Sequence, residues 1–436
     1  MSGTHRIVWN KDEGVCFIMC SGDAGNDGTV DDVAARWLLA VQEDRSIANK
    51  MRSEVPDFMS RCQMLGWLDA EGRPRGPIHV IQGTPHLKRV QIELTTRCNL
   101  RCAYCYSESG PLKSSKLELR QVIDVLDEAH SLGCLYVDFT GGEFVLYPNW
   151  REALSHATDL GLAVTIHSNG TGLSEANLAC IERSRVRRLQ ISFDSHVAEV
   201  HDRIRGLDGA FDKSVRAARR ARELGIKLRC SLMVHRDNKN DVGDMVRWFS
   251  KEIGGPINLD RVVLAGGEKL AGMGISEREF FEAVAPHMSR QVEQGRICES
   301  PDVARKLNPI EPHCGVAQSF VYVTADGEMA LCPTMTSRDH PDFRGPNLSQ
   351  MGLRSAWLES AYFKRFRFAN CANVTTCPSG TSCRGGCRSN AYVATGKIDS
   401  PDYVACNMHK NGTQKFIDFA ERYASGNFAL PHAFNA

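Results

Sequence analysis

The chain has 436 residues, of which 42% are hydrophobic and 24% are charged, and its formal net charge is +1. This length is enough for two or three domains with real cores, and the balanced charge argues against a disordered chain or a broad nucleic-acid-binding surface. The N-terminus has no basic segment followed by an apolar run, and no apolar stretch reaches about 18 residues. We therefore predict a soluble cytoplasmic protein without a membrane span.

Residues 1–85 predict a small α+β domain. Two short extended runs, HRIVWN and GVCFIMC, come first, and helical patterns follow in TVDDVAARWLLAVQ, SIANKMRS and EVPDFMSRCQMLGWLD. The Pro- and Gly-rich stretch EGRPRGPIHVIQGTPH then predicts a linker.

Residues 86–290 alternate extended apolar runs with helical patterns, which predicts an α/β domain. The strand candidates are RVQIELT, LYVDFT, AVTIHS, RLQISFD, KLRCSLMV and RVVLAG. The helix candidates between them include LELRQVIDVLDEAHSL, EANLACIERS, KSVRAARRARELG and DVGDMVRWFSKEI. Near-continuous apolar strands indicate a parallel sheet covered by helices. Six β-α units rather than eight predict an open, partial (β/α)6 TIM-like barrel, whose active site lies just past the carboxyl ends of the strands.

Three cysteines, Cys98, Cys102 and Cys105, follow the first predicted strand with the spacing C-x3-C-x2-C. Clustered cysteines in a reducing compartment indicate metal binding rather than disulfides. A closed zinc site needs four ligands and a disulfide needs two, so three cysteines suggest a metal cluster with one open position. A zinc site that takes a fourth ligand from elsewhere is the alternative.

Polar groups also follow the next three predicted strands. TGGEF ends the second strand, HSNG follows the third, ISFDS follows the fourth, and HDRIRG comes soon after. The candidate residues in these motifs are Gly141, Gly142, Glu143, Ser168, Asn169, Ser192, Asp194 and Arg205. Taken singly, a Gly-Gly pair is usually a turn, an aspartate often caps a helix, and an arginine is often solvated. Their joint placement after successive strands favours one shared site.

The cysteine motif, with Tyr104 before its last cysteine, resembles that of the radical S-adenosylmethionine (SAM) enzymes. The resemblance implies a [4Fe-4S] cluster on the three cysteines, with SAM chelating the fourth iron. Reductive cleavage of SAM would yield a 5′-deoxyadenosyl radical that takes a hydrogen atom from substrate. It also implies that the GGE motif receives the methionine amino group. The ribose and carboxylate of SAM would be held by Ser168, Asn169, Ser192, Asp194 and Arg205, with Tyr104 as a further cofactor contact.

Residues 291–436 are rich in Gly, Pro and Cys and resemble the SPASM domain, which holds two auxiliary [4Fe-4S] clusters. The stretch VYVTADGEMALC predicts a hairpin that turns at Asp326-Gly327. The spacing departs from the family once, with five residues instead of two between Cys371 and Cys377. The resemblance assigns one cluster to Cys314, Cys332 and Cys387, and the other to Cys371, Cys377, Cys383 and Cys406.

The first auxiliary cluster then lacks a fourth cysteine. Either Cys298 supplies it or one iron site is open to a substrate or a water molecule. Two zinc sites are the alternative, but seven cysteines do not complete two four-cysteine sites.

The first 85 residues resemble the winged-helix-like peptide-recognition module of maturases that act on ribosomally made peptides. In that module a leader peptide adds a strand to a sheet edge, which we expect near GVCFIMC or HRIVWN. DNA binding is the rival for such a fold, but EVPDFMSRCQMLGWL carries one arginine and no basic stripe.

Together these regions predict a leader-dependent peptide maturase that forms a thioether or carbon–carbon crosslink, with flavodoxin or ferredoxin as electron donor. Sulfatase maturation is disfavoured, because Pro333 stands where those enzymes place an acidic base. The alternatives are a radical SAM enzyme that modifies a small molecule such as a tetrapyrrole, and a non-catalytic Fe-S protein that binds peptide or DNA. The sequence identifies no catalytic base.

Overall fold

The structure is a computed structural model that describes residues 5–19, 28–43, 56–262, 272–275, 279, 280, 282–284, 315–338, 340–367, 369–373, 375–377, 385–402 and 406. The predicted helix SIANKMRS and the cysteines Cys298, Cys314 and Cys383 lie outside these residues. No helix in the described ranges is long and apolar enough to span a membrane.

The described residues of the N-terminal region form a four-stranded sheet with two helices. Its elements are β1 (Arg6–Asn10), β2 (Val15–Met19), β3 (Gly28–Asp31), α1 (Asp32–Glu43), α2 (Pro56–Met64) and β4 (Ile78–Ile81). The strand order is β3-β2-β1-β4, and the buried side chains of Ile7, Trp9, Ile18 and Leu38 form part of its core. The predicted α+β character is confirmed.

Three expectations for this region are wrong. The start of TVDDVAARWLLAVQ belongs to β3, which pairs antiparallel with β2, so α1 begins only at Asp32. The expected linker contains β4, which pairs in parallel with β1. As a result β1 and β2 are the inner strands, and the edges where a peptide strand was expected are β3 and β4.

The central region contains six neighbouring parallel strands, as predicted. They are β5 (Arg89–Glu93), β6 (Tyr136–Thr140), β7 (Ala163–Ser168), β8 (Arg188–Ser192), β9 (Leu228–Val234) and β10 (Ile257–Arg261). The last strand lies four residues earlier than RVVLAG implies, because residues 257–261 pair with 230–234 of β9. The sheet is open, so the predicted partial barrel is confirmed.

Six helices connect these strands. They are α3 (Leu119–Ser131), α4 (Trp150–Asp159), α5 (Glu175–Arg183), α6 (Ala198–Arg205), α7 (Ala210–Glu223) and α8 (Val242–Glu252). Their ends follow ordinary capping chemistry. Gln121 and Glu118 form a capping box at the start of α3, and Ser174 accepts a hydrogen bond from Asn177 N–H at the start of α5.

The two faces of the central sheet differ in chemistry. Val90, Ile92 and their counterparts on the other strands are buried in the main hydrophobic core. The alternate residues, such as Gln190 and Ser192 on β8 or Arg229 and Ser231 on β9, are only partly buried. We call this second, polar surface the inner face.

The C-terminal region contributes to the same sheet. The hairpin β11 (Phe320–Val323) and β12 (Met329–Ala330) turns at Asp326-Gly327 as predicted, with Gly327 at φ +86°. β11 pairs in parallel with β5, so the described residues of this sheet form eight strands in the order β10-β9-β8-β7-β6-β5-β11-β12. The C-terminal region also contains the helices α9 (Leu353–Glu359), α10 (Ala361–Arg367) and α11 (Arg388–Thr395).

The N-terminal sheet packs at the amino ends of the barrel strands. Arg6 donates hydrogen bonds to the carbonyl oxygens of His130 (2.7 Å), in the last turn of α3, and of Cys134 (3.2 Å), two residues before β6. Phe17 belongs to a buried apolar cluster against which Tyr136, the first residue of β6, also packs. The cysteine motif lies at the opposite, carboxyl end of the strands.

Candidate functional site

The loop that carries Cys98, Cys102 and Cys105 is fastened at the carboxyl edge of the central sheet. Cys98 N–H donates to Gly110 O (3.1 Å), which closes the loop on itself. Arg101 N–H donates to Arg205 O (2.9 Å), so the end of α6 holds the middle of the loop. The three cysteines therefore lie where the sequence analysis expected an active site.

The Gly141-Gly142 turn after β6 lies directly against the start of this loop. Gly142 N–H donates to Thr95 O (2.6 Å) and Glu143 N–H donates to Arg97 O (2.9 Å). A Cβ atom on Gly142 would lie 2.2 Å from Arg97 O, and Gly141 has φ +144°. The glycines are thus required by the close approach of two backbones.

Glu143 connects the turn after β6 to the end of β7 by hydrogen bonds. Its carboxylate accepts hydrogen bonds from Ser168 Oγ (2.7 Å) and from Asn169 N–H (2.8 Å). Burial raises the pKa of Glu143 to about 7 although these donors favour its charged form. The carboxylate therefore has partners of its own, and each oxygen keeps a further lone pair that can accept a hydrogen bond.

Asn169 reaches the cysteine loop from β7. Its amide Nδ2 lies 3.8 Å from Cys98 Sγ and donates to Asn99 Oδ1 at 2.9 Å. The carboxamide is oriented by Thr171, whose backbone N–H donates to Asn169 Oδ1 at 2.8 Å.

Asp194, Arg205 and Tyr104 form one polar cluster, in which Asp194 and Arg205 are buried and Tyr104 is partly buried. The Tyr104 hydroxyl donates to Asp194 Oδ1 (2.6 Å), and Arg205 Nε lies 2.5 Å from Asp194 Oδ2 in an ion pair without hydrogen-bond alignment. Arg205 Nη1 also lies 3.7 Å from Cys102 Sγ. Burial opposes the charge of Arg205, but the negative charge of Asp194 prevails and keeps the arginine pKa above its ordinary value. Ser192 is the last residue of β8, next to Ser231 of β9.

His235 belongs to this edge as well, and the sequence analysis missed it. It follows β9 directly and is fully buried, and its ring lies 5.6 Å from the Tyr104 ring. Asp237 N–H donates to His235 Nδ1 (3.2 Å), which places the proton on Nε2, and Nε2 has no hydrogen-bond partner among the described residues. The strand-end rule that selected the other candidates would also have selected His235.

Comparison with known proteins agrees with this arrangement. A sequence profile of the Radical SAM superfamily matches residues 92–249. "PqqA peptide cyclase" of Gluconobacter oxydans (strain 621H) is 31% identical over 334 residues, which are 72% of this chain and 89% of the relative. The chain belongs to the radical SAM superfamily.

Two further comparisons extend the likeness. "Mycofactocin maturase MftC" of Mycobacterium tuberculosis is 27% identical over 334 residues, covering 73% of this chain and 82% of the relative. The fold resembles Streptococcus suis SuiB in a crystal structure with precursor peptide SuiA. The TM-score is 0.67 at 13% identity, over 93% of this chain and 98% of the other.

Radical SAM enzymes use a [4Fe-4S] cluster and SAM, and the donor set of the loop suits such a cluster. Among the described residues, no three His, Cys, Asp or Glu side chains are grouped to hold a single metal ion. A cluster differs from a single ion because each of its thiolates binds a different iron. Beside the thiols lie the Arg205 guanidinium and the Asn169 amide, both able to donate hydrogen bonds to thiolate sulfur.

The described cysteines of the C-terminal region lie in segments that contact one another. Thr334 Oγ1 lies 3.4 Å from Cys332 Sγ and 2.9 Å from Ser389 Oγ, so the loop after β12 meets the start of α11. Asp402 Oδ2 accepts from Cys387 N–H (2.7 Å), and Asp402 O accepts from Cys406 N–H (2.8 Å). Cys371 and Cys377 are also described, whereas the partners Cys314 and Cys383 are not.

Proposed function

We propose that the protein is a radical SAM peptide maturase that forms an intramolecular thioether or carbon–carbon crosslink in a ribosomally made precursor peptide. The observation that carries the proposal is the cysteine loop fastened at the carboxyl edge of six parallel strands whose inner face is polar. The 31% identity to a protein named PqqA peptide cyclase, over 89% of that protein's length, supports a peptide as the substrate.

In this proposal Cys98, Cys102 and Cys105 hold the [4Fe-4S] cluster that binds SAM. When bound, the cluster and SAM supply one-electron cleavage of SAM and abstraction of a hydrogen atom from the peptide. Glu143 fixes the turn after β6 and the end of β7 in one position through Ser168 and Asn169. The SAM-contacting residues would be Tyr104, Gly141, Gly142, Glu143, Ser168, Asn169, Ser192, Asp194 and Arg205.

Two auxiliary [4Fe-4S] clusters complete the proposal. The first would be held by Cys314, Cys332 and Cys387, with Cys298 or an open iron site in the fourth position. The second would be held by Cys371, Cys377, Cys383 and Cys406. Crosslinking removes two hydrogens, one taken by the deoxyadenosyl group and one leaving as a proton, and an auxiliary cluster would accept the remaining electron. A flavodoxin or ferredoxin would reduce the SAM cluster.

We further propose three domains: a winged-helix-like peptide-recognition domain over 1–85, the barrel over 86–290 and the auxiliary-cluster domain over 291–436. The leader peptide would bind the first domain. Because β1 and β2 are inner strands, the outer strands β3 and β4 are the positions where an added strand would pair.

Iron counting after anaerobic reconstitution tests the cofactor part of the proposal. About twelve irons per chain should fall to about eight in Cys98→Ala/Cys102→Ala/Cys105→Ala. Formation of 5′-deoxyadenosine from SAM should vanish in the same variant. Zinc in place of iron, or SAM cleavage that survives the substitutions, would refute it.

A precursor peptide encoded beside the gene tests the substrate part. A mass loss of two hydrogens in that peptide, dependent on SAM and reductant, is the expected result. A tetrapyrrole consumed in its place would identify a small-molecule enzyme. Peptide or DNA binding without SAM cleavage would identify a non-catalytic Fe-S protein.

A further inference from the structure

Arg388, the first residue of α11, is buried without a full set of hydrogen-bond partners. Only 5% of its surface is exposed. Its Nη1 donates hydrogen bonds to the carbonyl oxygens of Ile398 (2.8 Å) and Ser400 (2.9 Å). Its Nε and Nη2 are also buried, but they have no hydrogen-bond partner among the described residues. One edge of the guanidinium group therefore has no acceptor in the part of the chain that the structure describes.

The two other arginines that are buried in the described ranges have their charge or their donors satisfied. Arg6 is also 5% exposed, and each of its three guanidinium nitrogens donates a hydrogen bond. Arg205 is 7% exposed and has the carboxylate of Asp194 as its counterion. Arg388 has neither arrangement, because it forms no ion pair with a described carboxylate.

The unpaired edge of Arg388 has the geometry of an anion-binding group. The Nε–H bond of a guanidinium and one N–H bond of Nη2 point the same way, so they donate side by side to a single anion. A buried cation without such a partner is costly. A negative group that lies against this edge would remove the cost.

Two cysteines lie in segments that meet residues 398–402, to which Arg388 is bound. Cys387 directly precedes Arg388, and its N–H donates to Asp402 Oδ2 at 2.7 Å. The N–H of Cys406 donates to Asp402 O at 2.8 Å. Although Asp402 is acidic, it forms no ion pair with Arg388. The backbone on both sides of Arg388 is thus tied to cysteines.

The segment of Cys371 meets the same place. A Cβ atom on Gly385 would lie 3.1 Å from Cys371 Cβ, so the segment before Arg388 packs against this cysteine. The N–H of Ala372 donates to Asp399 O at 2.7 Å. Asp399 lies between the two residues whose carbonyl oxygens Arg388 binds. Three of the cysteines proposed as auxiliary-cluster ligands are therefore in segments that converge on Arg388.

A [4Fe-4S] cluster is the anion that these cysteines would supply. Its sulfur atoms accept hydrogen bonds, and both these bonds and the net charge around the cluster set its reduction potential. The chain already places one buried arginine beside a cysteine proposed to bind a cluster, because Arg205 Nη1 lies 3.7 Å from Cys102 Sγ. The difference is that Arg205 has a carboxylate partner, whereas the positive charge of Arg388 is unopposed.

We propose that Arg388 is the counter-cation of an auxiliary [4Fe-4S] cluster, to whose sulfur atoms Nε and Nη2 donate hydrogen bonds, and that it raises the reduction potential of this cluster. The inference rests on the proposed auxiliary clusters and names the residue that sets the potential of one of them. Reduction adds one electron, so a fixed positive charge beside the cluster favours the reduced form. The cluster is thereby a better acceptor for the electron that crosslinking releases. Arg388 acts through the cluster and does not touch the peptide.

A redox titration of the auxiliary clusters tests the proposal without peptide or turnover. Cys98, Cys102 and Cys105 are replaced by alanine in the full-length chain, so that only auxiliary clusters contribute to the signal. The reconstituted protein is titrated anaerobically with dithionite, and electron paramagnetic resonance follows the reduced clusters at each potential. Arg388→Gln and Arg388→Lys are compared in this background. Both new side chains can donate to the carbonyl oxygens of residues 398–402, but only lysine keeps the charge.

Arg388→Gln should lower the equilibrium constant for one-electron reduction of one auxiliary cluster about tenfold, which corresponds to about 59 mV. Arg388→Lys should keep this constant within about threefold, because it retains the charge but loses the paired donors. Arg367→Gln is the matched control. Arg367 also donates to two backbone carbonyl oxygens of the C-terminal region, but no cysteine is next to it in the chain. This control should leave the potentials unchanged.

An unchanged potential in Arg388→Gln, or an equal shift in Arg388→Lys or in Arg367→Gln, would overturn the proposal. Zinc in place of iron in the auxiliary sites would overturn it as well. Iron counting decides the case in which a cluster is lost. Loss of iron from Arg388→Gln alone supports the proposal, because the charge is then needed to retain the cluster. Loss from both Arg388 variants would mean that the arginine only holds residues 398–402, which overturns it.

Peptide crosslinking is measured separately, in the chain that keeps the three cysteines of the SAM cluster. A potential shift in Arg388→Gln, without crosslinked peptide from the unsubstituted chain, would leave the role of Arg388 standing and refute the maturase function. Crosslinked peptide without a potential shift would do the reverse.

Discussion

Replacing Gly142 by alanine should loosen the cysteine loop without touching a cysteine. An added Cβ would lie 2.2 Å from Arg97 O, 2.5 Å from Arg97 C and 2.9 Å from Thr96 O. All three are backbone atoms, so no side-chain rotation relieves the contact. Gly142 does not have a left-handed φ, so the effect of alanine is steric rather than a backbone preference.

The magnitude follows from the distance that must be opened. Normal contact requires the turn and the loop to separate by about 1 Å, and overpacking of this kind costs about 1–3 kcal/mol. The separation also weakens the hydrogen bond from Gly142 N–H to Thr95 O, at about 1 kcal/mol. We expect a local destabilisation of about 3 kcal/mol, which corresponds to about a hundredfold faster amide exchange in the loop.

Hydrogen–deuterium exchange over residues 95–105, with iron counting after reconstitution, measures this effect. Gly110→Ala is the control, because Gly110 holds the same loop through Cys98 N–H, yet its added Cβ would meet nothing closer than Leu100 O at 4.0 Å. Gly142→Ala should exchange faster and retain less iron than Gly110→Ala. Identical exchange and iron content in the two variants would refute the reasoning.

Three ion pairs give further predictions. Asp194→Asn leaves Arg205 buried beside the cysteine loop without its counterion, and should lower the free energy of unfolding by about 3 kcal/mol in urea titrations. Arg120→Gln, which removes an exposed pair, should cost less than about 0.5 kcal/mol. Arg338→Met leaves the fully buried carboxylate of Glu93 without its arginine partner and should make the C-terminal region more sensitive to limited proteolysis. The double variant with Glu93→Gln should recover resistance. Equal sensitivity of the single variant and the wild type would contradict this.

Five of the six barrel strands could be predicted in place, because each is short, contains β-branched residues and is bounded by turn residues. β4 could not, because IHVI follows Gly-Pro and is mostly half-exposed, so its assignment depends on pairing with β1. β3 was hidden for a related reason: its residues continue smoothly into the helical period of α1, and only the register with β2 makes them a strand. Local residue propensities do not determine which distant segments of a chain pair as strands.

The candidate site was predictable in position but not in its contacts. Motif resemblance selected Glu143 and Asp194 as cofactor contacts, yet it could not show that Glu143 is held by Ser168 or that Asp194 is held by Tyr104. Such partners come from different strands and depend on how neighbouring strand ends meet. The resemblance therefore identifies which residues lie at the site, while the fold determines how they are positioned there.

The inner face follows from a pattern that the expectation of near-continuous apolar strands overlooked. RLQIS and LRCSLMV alternate buried with partly buried residues along β8 and β9. A parallel sheet covered by helices on both faces has no use for such alternation, because both sets of side chains would meet an apolar layer. Alternation of apolar and polar residues in the strands of a parallel sheet is thus a sign that its two faces have different surroundings. The residues at the polar phase, Arg188 and Arg229 among them, lie on the inner face.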